Sequence, residues 1–201
     1  KQPDKLIPYA EMAKAEGWKT KYTFKTPQGD WTKEKYDDGS WQEGYGAFGD
    51  RNTEANKTKW SGDDADVYIR RHFNVSKIEK DAKIRIVYSH DDVFELYLDG
   101  EKIVDTGNTW LDDQVVELTP AQAAKLHEGD NVIAAHCHNT TGGAYADFGI
   151  YYTPANVSKF DAAAEQLSCD VLATSSYYTF KCGPVKLNVV FTAPQLIDDL
   201  D

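Results

Sequence analysis

The sequence has few cysteines, few basic residues and no long hydrophobic run. Cys137, Cys169 and Cys182 are an odd number without close spacing. A disulfide framework needs pairs and most zinc sites need closely spaced cysteines, so we expect three free thiols and no disulfide. No apolar stretch reaches the roughly 20 residues that cross a bilayer. The net charge of −11 excludes nucleic acid and anionic membrane surfaces as partners, because both need a basic face.

Segments with a helical pattern are also scarce. Residues 9–16 carry helix formers before Gly17, and residues 119–126 open with Thr-Pro, which predicts a short helix capped by Thr119. Two short helices are too few to connect parallel strands. Most of the remaining chain consists of β-rich runs about ten residues apart, with turn residues between them. This pattern predicts an all-β protein, an antiparallel sandwich or jelly roll.

The predicted strands differ in how clearly they are marked. The clearest signal is a hairpin, in which 94–98 and 102–104 flank Asp99-Gly100, a pair typical of a type I′ turn. Residues 31–60 show no sustained period and are rich in Gly, Asp, Asn and Trp, so we expect a long irregular connection held by aromatic side chains. Five further runs alternate or are β-rich, and they are predicted as strands: 21–26, 66–75, 83–88, 132–138 and 146–152.

The composition changes after Pro154, and we expect three regions. Residues 1–17 are predicted as an N-terminal helix or linker and 18–154 as the sandwich. Residues 155–201 are predicted as a linker, with a helix candidate at 157–166, followed by the truncated start of another β domain. There, 171–180 and 185–191 flank Gly183-Pro184 as a C-terminal hairpin. The alternative is that this hairpin packs back on the sandwich. Because the chain begins at Lys1 without a Met, we expect both ends to be processing boundaries.

Arg71 is the charged residue whose position is most informative. It shares its strand parity with Val67, Ile69 and Phe73, which places its side chain on the apolar face. A buried guanidinium without a carboxylate is costly, so Arg71 is expected to pair with an aspartate. The candidates are Asp91, Asp92 and Asp147, and Asp92 is preferred.

The histidines and acidic doublets are candidates for metal binding or catalysis, but structural roles also explain them. His136 and His138 face one side of a strand and need a third ligand to hold a metal; the alternative is a polar face that supports neighbouring loops. Three of the Asp-Asp doublets, at 37–38, 91–92 and 112–113, could serve as glycosidase acids or calcium ligands. No DxDxDG loop occurs, so no cofactor is predicted and a structural calcium ion has no motif behind it. For Asp91-Asp92 we favour a structural role, capping turn amides or pairing an arginine.

Aromatic side chains offer a possible carbohydrate platform, since their faces stack on pyranose rings. Most of them fall in the irregular region, where aromatics anchor loops. Trp110 and Tyr145 are the candidate contacts, because their loops lack other apolar neighbours. The full set is Trp31, Trp41, Tyr45, Phe48, Trp60, Trp110 and Tyr145.

Four motifs follow one another along the chain. They are Gly29-Asp30-Trp31 with Tyr36-Asp37-Asp38-Gly39-Ser40-Trp41, the strand 66–73 with its Arg-Arg pair, the run 89–100 ending in Tyr97-Leu98-Asp99-Gly100, and Gly129-Asp130-Asn131-Val132-Ile133-Ala134. In this order they resemble the sandwich domain that begins family-two glycoside hydrolases. Asp99 stands where that family usually has Asn. The resemblance covers residues 29–150 and implies a galactose-binding-like jelly roll of eight strands.

A second set of motifs lies in the tail, in the segments 171–174, 177–180, 183–187, 191–194 and 198–201. These segments resemble the glutaminase A-like proteins, which are common in gut Bacteroidetes, and 136–143 with 147–149 also fit that group. The resemblance implies a secreted or periplasmic parent hydrolase whose catalytic region lies beyond residue 201. It also implies that the partners of this chain are other domains of the same parent.

Two functions are therefore expected to compete. The first is a non-catalytic accessory or structural module of a larger glutaminase A-like hydrolase. The second is a carbohydrate-binding module that recognises a glycan through loop aromatics. A stand-alone enzyme is disfavoured, because no nucleophile–base pair or metal set emerges from the sequence.

Overall fold

In a computed structural model, residues 6–63 and 65–155 are described in full, together with the backbone of three strands between residues 170 and 190. The chain divides into two compact units, Lys1–Ala155 and Asn156–Asp201. No helix in the described part is long and apolar enough to cross a membrane.

The first unit is an all-β sandwich, as predicted. One sheet has the order β10-β7-β12-β4-β5, with β1 also pairing with β12, and the other has the order β3-β2-β6-β11-β8-β9. The one short helix among the described residues, α1, spans Pro120–Ala123. The strands are β1 Ile7–Ala10, β2 Trp18–Thr23, β3 Gln42–Gly46, β4 Phe48–Gly49, β5 Thr58–Lys59, β6 Ala65–Val75, β7 Lys83–Asp91, β8 Val93–Leu98, β9 Glu101–Asp105, β10 Trp110–Glu117, β11 Gly129–Asn139 and β12 Tyr145–Thr153.

One hydrophobic core joins the inner faces of the two sheets. Ile86 and Phe148 enter it from the first sheet, and Ile69, Leu96 and Ile133 enter it from the second, all fully buried. Each such side chain contributes roughly 1.5–3 kcal/mol relative to an exposed position. In β6 and β7, the alternate residues that the sequence predicts to share one face are the ones that face the core. This follows because successive side chains on a strand point to opposite faces.

The β8–β9 hairpin confirms the strongest local signal in the sequence. Leu98 pairs directly with Glu101, and the two turn residues have positive φ, 43° at Asp99 and 80° at Gly100. These values fit the type I′ turn that Asp-Gly favours. The Gly100 N–H donates to the main-chain oxygen of Thr32 at 3.0 Å, so the hairpin tip also holds part of the 31–41 loop.

The predicted helix at 119–126 forms, but it is shorter. Thr119 Oγ1 accepts from the amide of Gln122 at 3.2 Å, and Gln122 Oε1 accepts from the amide of Thr119 at 2.9 Å. This reciprocal pair is a capping box. Beyond Ala123, the amides of Lys125 and Leu126 donate to carbonyls three residues earlier, so the last turn tightens instead of continuing the helix.

The other helix prediction, at 9–16, is wrong. Ile7–Ala10 forms a strand against β12, and the segment that follows is anchored by side chains. The Met12 amide donates to the Tyr151 hydroxyl at 2.8 Å, and the Ala13 amide donates to the Asp147 carboxylate at 3.0 Å. These tertiary acceptors satisfy the amides that a helix would otherwise have paired.

Two further expectations about strands need correction. Residues 31–60, expected to be irregular, contain β3, β4 and β5. The structure also places a strand, β10, at 110–117, where the sequence pattern gave none. It lies at an edge of the first sheet, where one side has no partner strand and burial is low, so its hydrophobic pattern is weak.

The second unit contains a three-stranded antiparallel sheet: β13 Asp170–Ala173, β14 Tyr177–Cys182 and β15 Val185–Val190. Cys182 pairs with Val185, which agrees with the hairpin predicted around residues 183–184. β13 adds a third strand to it. The helix or linker candidate at 157–166 and Cys169 lie outside the described residues, and the predicted region boundaries at 17 and 154 remain predictions.

Candidate functional site

The two predicted carbohydrate contacts share one row of the first sheet. Trp110 pairs with Asp91, and Asp91 pairs on its other side with Tyr145. Directly paired residues point to the same face, and the core face of these strands is occupied by His90 and Ala146. Trp110, Asp91 and Tyr145 therefore point to the outer face, with about 10 Å between the outer two strands.

Tyr145 is not an exposed platform. Its side chain is only 7% exposed, because the guanidinium of Arg51 lies over its ring, 4.2 Å from the centroid. Burial is the largest cause that raises the pKa of Tyr145, to about 12. The ring is neutral at pH 7 and stacks on a cation, so a sugar cannot lie on that face without displacing Arg51.

Trp110, by contrast, is available. It is 64% exposed and begins the edge strand β10, on which Leu111 and Val115 are also exposed. A large exposed indole beside polar groups is the arrangement that stacks on sugar rings, because it offers a flat apolar surface with a polar border. Of the two predicted contacts, only Trp110 has this exposure.

A cleft of about 320 Å³ opens on the same outer face. Ser89, Tyr145 and Asp147 project into it from β7 and β12. An irregularity in β10 between Leu111 and Gln114 brings Asp112 and Asp113 over the edge of the cleft. The cleft is lined by Met12, Ala13, Arg51, Ser89, Asp112, Asp113, Tyr145 and Asp147.

The irregularity in β10 has a local cause. Asp113 adopts a positive φ of 52°, a conformation that Asp tolerates better than most residues, and its amide donates to Ser89 Oγ at 2.9 Å. This bond replaces a ladder bond and tethers the turned segment to the neighbouring strand.

We call Trp110, Arg51, Asp112, Asp113 and Tyr145 the Trp110 face.

Acidic groups dominate the electrostatics of the cleft. Arg51 Nη1 lies 2.6 Å from Asp112 Oδ1, and its Nη2 lies 4.0 Å from Asp91 Oδ2. Burial raises the pKa of Asp91, and the charge of Asp92 raises it further. Arg51 is therefore held between carboxylates as well as over the Tyr145 ring.

Asp147 forms the inner wall of the cleft. It accepts from Trp18 Nε1 at 2.8 Å and from the Ala13 amide at 3.0 Å. Burial raises the pKa of this carboxyl, although these hydrogen bonds oppose the rise. Its oxygens link β12 to β2 and to the segment after β1, which is a structural task.

Arg71 enters the interior, as the strand parity predicts, and is only 5% exposed. Its predicted pairing with Asp92 is wrong. Arg71 donates to the main-chain oxygens of Phe148 at 2.5 Å and Glu11 at 2.6 Å, and it lies over the Trp18 ring at 4.4 Å.

The sheet topology explains this outcome for Arg71. β1 pairs with β12 from Ile150 onward and β4 pairs with Tyr145 and Ala146, so the Phe148 carbonyl falls between two short partner strands. Carbonyl oxygens replace the expected carboxylate as acceptors. Burial lowers the pKa of Arg71 to about 10, with the charge of Asp147 opposing the decrease, so the side chain is still charged at pH 7.

Asp92 instead caps a loop. Its Oδ2 accepts from the Thr140 amide at 2.9 Å, from Thr140 Oγ1 at 2.6 Å and from the Thr141 amide at 3.3 Å. Burial opposes ionisation, but these hydrogen bonds hold the pKa of Asp92 below its ordinary value. Capping turn amides is one of the two roles that the sequence suggested for this doublet.

Among the described residues, Arg70 forms more side-chain hydrogen bonds than any other charged group for which they are given, and its role was not predicted from the sequence. It is fully buried on the other face of β6, and its Nε donates to Asp38 Oδ2 at 2.7 Å. His72 Nε2 lies 2.6 Å from the same oxygen. Burial opposes ionisation of Asp38, yet these partners lower its pKa. The consecutive Arg70-Arg71 pair was the available signal, because two adjacent strand residues cannot both be on the core face.

The histidine pair also bonds to carboxylates. Asp66 Oδ1 lies 2.7 Å from His136 Nε2 and 3.0 Å from His138 Nδ1, and Glu95 Oε2 lies 3.2 Å from His136 Nδ1. Among the described residues, no group of three or more His, Cys, Asp or Glu side chains is arranged to hold a metal ion. Cys137 points the opposite way and is fully buried in the core.

A larger depression, of about 430 Å³, offers less to a sugar. It is lined by Phe24, Lys59, Trp60, Ser61, Ala65 and Asp66. Trp60 is buried, and Phe24 is 43% exposed, less than Trp110, and makes an edge contact with Tyr22. Asp66 is engaged by the two histidines. The Trp110 face therefore remains the better candidate.

Comparisons with known proteins show the fold alone. No protein-family model matches the chain, and no curated protein matches it. Among solved structures, a β-glycosidase from Bacteroides vulgatus superposes with a TM-score of 0.52 at 15% identity, over 88% of this chain and 23% of that one. A β-glucuronidase from Bacteroides uniformis superposes with a TM-score of 0.50 at 12% identity, over 85% and 21%. The chain thus spans less than a quarter of each.

Proposed function

We propose that this chain is a non-catalytic accessory β-sandwich module of a larger hydrolase. The observation that carries the proposal is how small a part of each neighbouring enzyme this chain matches. It superposes on 23% of a β-glycosidase and on 21% of a β-glucuronidase. Most of each of those enzymes lies outside the part that matches. A module of this kind positions other domains or their ligands and leaves the chemistry to them.

The bonding of two of the three carboxylates that line the cleft supports a non-catalytic role. Asp147 accepts two hydrogen bonds from Trp18 and the Ala13 amide, and Asp112 is bound to Arg51 at 2.6 Å. A general acid or nucleophile must reach the substrate, whereas these two groups are committed to neighbouring strands and loops.

The identity of the parent rests on the sequence resemblance. We infer a glutaminase A-like parent, secreted or periplasmic, in which the partners of this module are the other domains of the same chain. The segments that support this inference are 171–174, 177–180, 183–187, 191–194 and 198–201, together with 136–143 and 147–149.

The test of the non-catalytic role is a hydrolysis assay of the 201-residue chain. Nitrophenyl glycosides, including a glucuronide, and glutamine are incubated with protein and with buffer alone. We expect equal rates in both. Hydrolysis by the protein that is lost in the Asp112→Asn variant, with the fold intact by circular dichroism, would contradict the proposal.

The second candidate function is glycan binding at the Trp110 face. The specific observation in its favour is the 64% exposure of Trp110 on a strand that also borders a polar cleft. The test is a glycan array of plant and host glycans, followed by calorimetric titration of any ligand found. We expect Trp110→Ala to abolish binding. Val115→Ala, at another exposed position of β10, is the matched control and should bind like the parent.

A further inference from the structure

The charges around the cleft constrain which glycans could bind there. Three of the side chains that line it are carboxylates, Asp112, Asp113 and Asp147, and one is a guanidinium, Arg51. Asp91 lies 4.0 Å from the same guanidinium. At pH 7 an approaching anion therefore meets more negative than positive charge.

Arg51 is the group that an anionic sugar would need, and it is already bound. Its Nη1 is 2.6 Å from Asp112 Oδ1, and its planar face covers Tyr145. A uronate or sulfate that bonded to the remaining N–H groups of Arg51 would lie beside the carboxylates of Asp112 and Asp91. At about 5 Å and an effective dielectric between those of protein and water, one such repulsion weakens binding roughly tenfold.

Uncharged sugars meet no such penalty. Their hydroxyls donate hydrogen bonds, and a carboxylate is a strong acceptor that binds them without a change in net charge. Asp113 is exposed beside the cleft, and the indole of Trp110 on the same edge strand provides a surface for a pyranose ring.

We propose that the Trp110 face selects uncharged glycans and rejects uronate-containing and sulfated ones. This rests on the second candidate function, glycan binding.

The experiment compares neutral and anionic probes on the 201-residue chain. Native affinity gels contain barley β-glucan, galactomannan, polygalacturonate or chondroitin sulfate. Ligand-observed NMR then compares methyl β-D-glucopyranoside with methyl β-D-glucopyranosiduronate, which differ at one carbon. Both measurements are made at about 20 mM and 500 mM NaCl, since screening at high salt weakens repulsion between exposed charges.

We expect at least one neutral probe to bind at both salt concentrations, with binding lost in Trp110→Ala and kept in Val115→Ala. The anionic probes should bind at least tenfold more weakly at low salt. The double variant Asp112→Asn/Asp113→Asn removes two carboxylates and frees Arg51. It should reduce the ratio of the neutral-probe affinity to the anionic-probe affinity several-fold. Urea denaturation of each variant verifies that it is folded.

Three outcomes would overturn the inference, and they can be told apart. If no probe binds, glycan binding itself fails. If an anionic probe binds as tightly as its neutral counterpart and loses binding in Arg51→Gln, glycan binding stands and the selection for uncharged ligands is wrong. If a neutral probe binds and Trp110→Ala has no effect, the binding site lies elsewhere on the chain.

Discussion

Arg70 donates from Nε to Asp38 Oδ2 at 2.7 Å, and the arginine side chain has no solvent exposure. Its remaining nitrogens donate to main-chain oxygens of the loop that covers this face of β6. One buried cation thus holds a loop that has few ladder bonds of its own. The carbonyl partners belong to Trp31, Lys33, Glu34 and Tyr36.

Replacement of Arg70 should therefore be severe. We predict that Arg70→Met lowers the free energy of unfolding by about 3–5 kcal/mol, because it leaves Asp38 and several carbonyls without their donor. Urea denaturation measures the change. Lys19→Met, which breaks the exposed Lys19–Glu43 pair, should cost under about 0.5 kcal/mol. Equal, small losses in the two variants would show that the Arg70 network contributes little.

Arg71 should also matter, but independently of Asp92. We predict that Arg71→Met costs about 2–4 kcal/mol, since it leaves the Phe148 and Glu11 carbonyls unpaired. Because Asp92 bonds Thr140 instead, the double variant Arg71→Met/Asp92→Asn should show additive losses within about 0.5 kcal/mol. A coupling energy well above this limit, measured by urea denaturation, would show that Arg71 and Asp92 do interact.

His90 should make stability depend on pH. Its ring is buried beside the rings of Tyr88 and Phe94, which also contact each other, and burial lowers its pKa below the ordinary value of about 6.5. The neutral ring is therefore favoured by folding. This contribution is fully present above pH 6.5 and is lost as the pH falls from 6.5 toward the folded pKa, by at most about 1.4 kcal/mol per unit.

The variant His90→Phe isolates the effect of this histidine. Urea midpoints are measured between pH 5 and pH 8 for both proteins, and we expect the parent to lose more stability than the variant below pH 6.5. Parallel curves for the two proteins would mean that His90 is not buried as a neutral ring.

Cys137 should be unreactive in the folded protein. Its thiol is fully buried in the core, and burial raises its pKa well above the ordinary range for cysteine, so little thiolate is available. In the Cys169→Ser/Cys182→Ser variant, Ellman's reagent should detect no thiol in native buffer and one thiol in denaturant. Rapid labelling of the native variant would show that this part of the core opens.

Local signals were enough to predict the elements that depend on neighbours in sequence. The Asp99-Gly100 hairpin and the Thr119 cap form because positive φ and capping hydrogen bonds involve residues within a few positions of one another. The inner faces of β6 and β7 follow from alternation, and the sandwich follows from many short β-rich runs. For the same reason, the parity of Arg71 was sufficient to place it inside.

The partners of buried charges were decided only by the tertiary structure. Arg71 meets carbonyls because two short strands leave a gap along β12, and Arg70 meets Asp38 because a loop 32 residues earlier in the chain folds over it. The segment after β1 is not a helix because Asp147 and Tyr151, more than 130 residues away, accept its amides. Tyr145 and Trp110 look alike as loop aromatics in the sequence, but Arg51 covers one ring and leaves the other open. These outcomes depend on strand order and on which groups are left unpaired, and neither is encoded in local periodicity.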